Sequence, residues 1–355
     1  MHSTNRKKIL FFINRYSGGA EKMTLNIAGF LPPELYDVVF YIVGPELASI
    51  SRFLPPGIPV HLLRINSYKD YFIFKLVKIL LKEKPDCVFA SLMPINWRLC
   101  FAAAFMPGIR LIIRADCPVD VQSFHQNLRL WLAYRRADKL IMQTQEMRKG
   151  YIEKLNLPNK KVITLENPVN QKEIARKLQQ AVCPFEEDGT HYVFIGRVDP
   201  VKGLDILISA FAKVLQGRPD ARLYIVGEVT PKCNDYFSAL KHQADDLQIA
   251  QNVFFTGFDD NPYRYIKYAD CLVLPSRTEG LPNAVIEALF IGTPVAVTNC
   301  VPIINRIVKE GVNGHVVEVD DAAGLARAMI ATAKLGRVQS FYSPAQPEDF
   351  VQLFC

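Results

Sequence analysis

The sequence predicts an α/β protein in two successive halves, each a parallel sheet with helices on both faces. Three observations carry this. Short apolar runs alternate with stretches of helical periodicity from Lys8 to Val319. The alternation pauses once, at residues 168–190, where two prolines, a polar helical stretch and the run Glu186-Glu187-Asp188-Gly189 intervene. The charge also changes sign across the chain. Residues 1–183 hold 27 Lys+Arg against 14 Asp+Glu, a net of +13, while residues 184–355 hold 15 against 21, a net of −6.

A chain of 355 residues, half of them hydrophobic, can bury two cores and is not a disordered segment. Its eight cysteines show no C-x-x-C and no Cys/His cluster at zinc spacing, so they read as small buried side chains in a reducing compartment. Met1 to Lys8 is polar and basic and runs into a strand. With no leader-like apolar stretch and no 18-residue apolar run, a cytoplasmic protein with no membrane span is expected. The basic first half calls for an anionic partner or is a solvated face. Nucleic acid is disfavoured, because no groove-reading or base-stacking motif accompanies the charge. An anionic membrane surface stays open.

The first half opens with the strand Lys8–Asn14. The turn Tyr16-Ser17-Gly18-Gly19-Ala20-Glu21 leads into a helix bearing Met23, Leu25, Ile27 and Phe30. A Gly pair at such a turn lets a ligand approach the backbone closely, although many α/β turns contain glycine. Strands follow at Val38–Val43, Val60–Ile65, Cys87–Leu92, Leu111–Ala115, Leu140–Gln143 and Val162–Leu165. The helical stretch Tyr68 to Lys84 interleaves Tyr71, Phe72 and Phe74 with Lys69, Lys75, Lys78, Lys82 and Lys84. That pattern suits a helix lying on anionic lipid, and equally a core helix whose lysines reach outward to water. Arg129 to Lys149 is also basic.

In the second half, the strand His191–Ile195 is followed by Gly196-Arg197-Val198-Asp199-Pro200-Val201-Lys202-Gly203 and the helix Leu204–Leu215. Arg197 and Lys202 flank a helix start, where two fixed cations can neutralise a departing diphosphate without a metal. Strands follow at Leu223–Val226, Val253–Thr256, Cys271–Leu274, Val295–Thr298 and His315–Val319. After Leu274 comes Pro275-Ser276-Arg277-Thr278-Glu279-Gly280-Leu281-Pro282-Asn283, then a helix with Val285, Ile286, Leu289 and Phe290 on one stripe. Pro282 suits the first turn of that helix, and Gly292 with Pro294 ends it. A strand delivering a tight loop to a helix start binds anions. Glu279 and Glu287, eight residues apart, flank the loop and can accept hydrogen bonds from sugar hydroxyls.

The string E-G-L-P-N, the second Glu and the following G-T-P resemble the E-x7-E segment of retaining glycosyltransferases of family 4, the GT-B group that uses nucleotide sugars. The turn from Gly196 to Gly203 is similar to that family's G-R-x-x-x-x-K-G, and G-G-A-E from Gly18 to its N-terminal glycine loop. The resemblance spans nearly the whole chain. It implies two Rossmann-like domains facing a cleft: an acceptor domain at 1–170, a donor domain at 171–335 and a segment at 336–355 returning to the first domain. It further implies that Glu279 meets the donor sugar, Gly280, Leu281, Pro282 and Asn283 the sugar and diphosphate, and Glu287 the ribose. Arg197 and Lys202 would hold the diphosphate, with Gly18 and Gly19 facing it from the other domain. Two departures stand out. Many relatives carry His-Asp where this chain has Arg114-Ala115-Asp116-Cys117-Pro118, so the polar group at the anomeric centre would be Asp116 or Arg114, although Asp116 reads equally as a cap of the next turn. Relatives also carry a glycine loop and a Glu where this chain has Cys300-Val301-Pro302-Ile303-Ile304-Asn305.

The expected activity is transfer of a hexose, with retention, from a UDP- or GDP-linked sugar to a saccharide or lipid-linked acceptor in cell-surface polysaccharide, lipopolysaccharide or glycolipid synthesis. No cofactor is expected beyond the nucleotide sugar as co-substrate. No D-x-D is present, which argues against a metal site of the kind that metal-dependent transferases use. A dinucleotide-dependent oxidoreductase is disfavoured, because no G-x-G-x-x-G follows a strand. A non-catalytic, nucleotide-sugar-binding partner subunit stays open, since the same residues could bind without turnover.

Overall fold

The computed structural model describes residues 6–15, 19–47, 49–66, 72–104, 106–115, 119, 124–186 and 188–355. The chain forms two compact units, residues 1–168 with 344–355, and residues 169–343.

Among the described residues the first unit holds seven strands: β1 Lys7–Asn14, β2 Tyr36–Val43, β3 Val60–Leu63, β4 Cys87–Ala90, β5 Arg110–Arg114, β6 Lys139–Met142 and β7 Val162–Thr164. They lie parallel in the order β3-β2-β1-β4-β5-β6-β7. β1 shows why its sequence is a continuous apolar run. Leu10 and Phe12 face one core, while Ile9, Phe11 and Ile13 face the other, so both faces of the pleat are buried.

The face carrying Phe11 is covered by the helix Gly19–Gly29 and by the C-terminal residues. Phe350 and Phe354 are buried there, with the Phe354 ring 5.9 Å from Phe11 and 6.0 Å from Phe89. Lys7 Nζ donates to the Phe354 carbonyl at 3.3 Å. The terminal segment thus completes a core that the rest of the first unit leaves open.

The second unit holds β8 His191–Ile195, β9 Arg222–Val226, β10 Val253–Gly257, β11 Cys271–Leu274, β12 Val295–Thr298 and β13 Gly314–Val317, parallel in the order β10-β9-β8-β11-β12-β13. Counted within the unit this is 3-2-1-4-5-6, the Rossmann order. The expected class, two Rossmann-like units with parallel sheets, is what the chain adopts.

Several details differ from the sequence reading. The interruption at 168–190, which reads as the interdomain linker, packs from residue 169 onward with the second unit. Ile174, in the helix Gln171–Gln179, belongs to the second core, and the Phe185 ring stacks on His191 at 4.2 Å. Residues 336–343 stay with the second unit, where the Val338 amide donates to the Gly292 carbonyl at 3.0 Å. Within the Tyr68–Lys84 stretch the helix is Ile73–Glu83, ended by Lys84 in the left-handed region; residues 68–71 lie outside the described residues. β4 stops at Ala90 because extended Leu92 already caps the helix Met93–Ala102.

Candidate active site

In an open parallel sheet of this order, ligands bind beyond the carboxyl ends of the strands where the winding reverses. In the second unit that point lies between β8 and β11, adjacent in space although β9 and β10 intervene in sequence. The loops leaving these two strands carry the two motifs.

After β8, Asp199 caps a short turn by accepting from the Val201 amide at 3.0 Å. Gly203 ends the turn with φ +65° and opens the helix Leu204–Gly217. A Cβ on Gly203 would lie 2.2 Å from the Pro275 carbonyl oxygen, so the loop after β8 presses backbone-on-backbone against the loop after β11. Only glycine satisfies both the dihedral and the contact.

That approach brings Lys202 to Glu279, with Nζ 2.6 Å from Oε1. Ser276 Oγ donates to the same carboxylate oxygen at 2.7 Å. The side chains are 22% and 11% exposed, so the pair sits in a partly desolvated recess. Arg197 is exposed and makes no hydrogen bond or ion pair among the described residues. It is an available cation in the same loop, five residues before Lys202. The amides of Gly280 and Leu281 likewise make no hydrogen bond among the described residues, as an anion-receiving loop requires.

The helix Asn283–Ile291 begins one residue later than expected: Pro282 stands at its cap, with ψ 75°, and not in its first turn. Glu287, one turn on, is partly exposed and accepts from Tyr263 Oη at 3.5 Å. Burial, and then the charge of Glu287, push the Tyr263 phenol well up, so it stays a donor.

The first unit's candidates fall differently. Gly19 opens the helix Gly19–Gly29, while Gly18 and Asp116 lie outside the described residues. Arg114, at the end of β5, is 0% exposed. Its Nη1 donates to Ser91 Oγ at 2.8 Å and its Nη2 to Asn167 Oδ1. Asn96 Nδ2 donates to its carbonyl at 3.0 Å. These bonds tie the segments after β4 and β7 to the end of β5, so its side chain works inside the wall of the unit.

Sequence reading missed Arg277. Its guanidinium forks onto Asp205, with Nη1 3.0 Å from Oδ1 and Nη2 2.7 Å from Oδ2, while Nε stands 2.9 Å from Asp320 Oδ1. An Arg between two motif residues gave no signal, because its partners are remote in sequence. Cys300 was singled out only as a departure. Its thiol lies near the Lys202–Glu279 pair and is pushed up to about 11, chiefly by burial and secondly by Glu279.

Two family models match the chain: "Glycosyltransferase Family 4" over residues 17–173 and "Glycosyl transferases group 1" over residues 175–339. An uncharacterized glycosyltransferase, MJ1059 of Methanocaldococcus jannaschii, is 35% identical over 64% of this chain, which spans 59% of that relative's length. The N-acetylgalactosamine-N,N'-diacetylbacillosaminyl-diphospho-undecaprenol 4-alpha-N-acetylgalactosaminyltransferase of Campylobacter jejuni is 23% identical over 88% of this chain and 86% of its own. Among solved structures, Anabaena Alr3699/HepE in complex with UDP and glucose superposes with a TM-score of 0.74 at 19% identity, covering 98% of both chains. Parallel-sheet units of Rossmann order, the two facing motifs and these matches agree: the chain belongs to the group 1 glycosyltransferases and has their two-domain GT-B fold.

Proposed function

We propose that the protein is a retaining, metal-independent hexosyltransferase acting on a UDP- or GDP-linked sugar. The observation that carries this is the Lys202–Glu279 pair at the winding reversal, with Arg197 exposed in the same loop as Lys202. Lys202, Arg197 and the amides of Gly280 and Leu281 take the diphosphate, and Glu279 takes a sugar hydroxyl. Pro282 and Asn283 border the sugar, and Glu287 receives the ribose hydroxyls. An acceptor oxygen bonds to the anomeric carbon as its bond to the β-phosphate breaks. The products are the glycoside, the nucleoside diphosphate and a proton. Fixed cations at the departing phosphate stabilise charge where it develops. Gly18 and Gly19 are assigned to the diphosphate by the family resemblance alone. Asp116 supplies the polar group at the anomeric centre.

The acceptor is a saccharide or a lipid-linked saccharide of cell-surface polysaccharide, lipopolysaccharide or glycolipid synthesis, as the name of the Campylobacter relative suggests. The protein meets it on the cytoplasmic face of the membrane. Phe74, 77% exposed, and Leu81, 59% exposed, lie on the helix Ile73–Glu83 with exposed Lys75, Lys78 and Lys82. The helix Phe124–Arg136 exposes Leu128 and Leu132 with Arg129 and Arg135. Apolar side chains ringed by cations suit an anionic lipid surface. Among the described residues no helix is long and apolar enough to cross a membrane.

The test is sugar transfer from a panel of UDP- and GDP-sugars to soluble and lipid-linked acceptors, read as nucleotide release together with the glycosylated product. Donor binding with no product across the acceptor panel would instead identify a non-catalytic binding subunit.

A further inference from the structure

We infer that Arg277 is a positioning residue: its guanidinium sets the spacing of Lys202 and Glu279 in which a nucleoside diphosphate is received. This rests on the donor site proposed above. Arg277 lies two residues before Glu279, in the loop between β11 and the helix Asn283–Ile291. Its amide donates to the Val201 carbonyl at 2.8 Å, and its Nη1 to the Pro200 carbonyl at 2.6 Å. Both guanidinium ends grip Asp205, in the first turn of the helix Leu204–Gly217. Apart from Asp320, every partner thus lies within three residues of Lys202.

The two loops are joined through Arg277 on one side and through the Lys202–Glu279 pair on the other. Gly203 against Pro275 forms the hinge of contact between them.

Asp205 is itself held. Tyr236 Oη donates to its Oδ1 at 2.8 Å, and its amide donates to the same hydroxyl oxygen at 3.2 Å. Burial pushes the Asp205 carboxyl up, but the hydrogen bonds from Arg277 and Tyr236 outweigh this and hold it below the usual carboxylate range. Asp320 meets the Arg277 Nε from a left-handed backbone, φ +63°. A planar fork can serve a carboxylate, a carbonyl and a second carboxylate at once. A lysine, whose charge sits at one point, cannot.

A brace that acts only on stability and one that acts through Lys202 differ in their coupling. The experiment is a double-mutant cycle of Arg277→Ala and Lys202→Ala, with Arg277→Lys alongside. UDP affinity is read by calorimetry and donor kcat/KM by nucleotide release, well below the Tm of each variant. Arg277→Ala alone should weaken UDP binding about tenfold, and Arg277→Lys nearly as much, with the fold intact by circular dichroism. In the Lys202→Ala background the same change should cost less than about threefold, because the group being positioned is gone. If Arg277→Ala fails to fold, Arg277→Lys carries the same cycle. Equal losses in both backgrounds, or wild-type affinity in Arg277→Lys, would overturn the inference while leaving the donor site in place. A wild-type protein that binds neither UDP nor GDP would refute the donor site itself, and the inference with it.

Discussion

Replacing Lys202 by Ala is the most direct perturbation of the proposed donor site. Lys202 Nζ is 2.6 Å from Glu279 Oε1, so the wild-type recess presents a neutral pair, with Arg197 exposed in the same loop. Removing the ammonium leaves the Glu279 carboxylate, 11% exposed, with only the Ser276 hydroxyl as partner among the described residues. An anionic diphosphate would then meet an uncompensated negative charge as well as lose a cation. A positioned charge at a developing oxyanion is worth about 3–4 kcal/mol, so kcat should fall by about 10²- to 10³-fold. The fold should survive, because Lys202 sits in a surface turn between Pro200 and Gly203. Lys202→Ala/Glu279→Gln should recover part of the lost UDP affinity, since it removes the stranded carboxylate. The assay is kcat at saturating donor together with calorimetric UDP binding. Activity of Lys202→Ala within a few-fold of wild type would refute the assignment.

The two glutamates should separate. Glu287→Ala should weaken free UDP and the UDP-sugar alike, by about 1–3 kcal/mol for lost charged hydrogen bonds, while Glu279→Ala should discriminate against the sugar-bearing ligand. Equal losses of free-nucleotide affinity in both variants would contradict that division. Transfer should proceed in EDTA, because Arg197 and Lys202 supply the cations that a metal would otherwise bring; activity lost in EDTA and restored by Mg²⁺ or Mn²⁺ would show otherwise. Cosedimentation with anionic vesicles should fall as salt rises, fall further in a Lys75/Lys78/Lys82→Glu variant at about 1 kcal/mol per lost cation, and fall again in Phe74→Ser. Wild-type protein left in the supernatant at low salt would make this face a solvated surface.

Much of the fold was legible because both sheets are parallel and covered on both faces. Cys271–Leu274 and Val295–Thr298 are buried at every position, and such strands read as unbroken apolar runs. Their ends were less legible, because a strand stops where the next element claims the backbone, as Leu92 does by capping a helix. The segment 168–190 read as a linker because apolar residues such as Ile174 and Phe185 find their partners only in the assembled unit. Arg114 looked like a site residue because it stands where relatives of the family carry His-Asp at a strand end. Ser91 and Asn167, which receive its bonds, follow β4 and β7, and no local pattern reveals that they meet.

Local chemistry therefore determined the two halves, the thirteen strands among the described residues and the two loops proposed to receive an anion. Periodicity, glycine dihedrals and helix starts are properties of a few consecutive residues. The tertiary structure alone decided what those loops meet. The winding order sets β8 beside β11, and so joins Lys202 to a glutamate 77 residues away and Arg277 to an aspartate 72 residues away. It also gives Phe354 its partners, Phe11 and Phe89, in the return of the terminal segment that the family resemblance implied. Such pairings arise from burying both faces of a whole sheet at once, a constraint that acts on the assembled layers and leaves no mark on any short stretch of sequence.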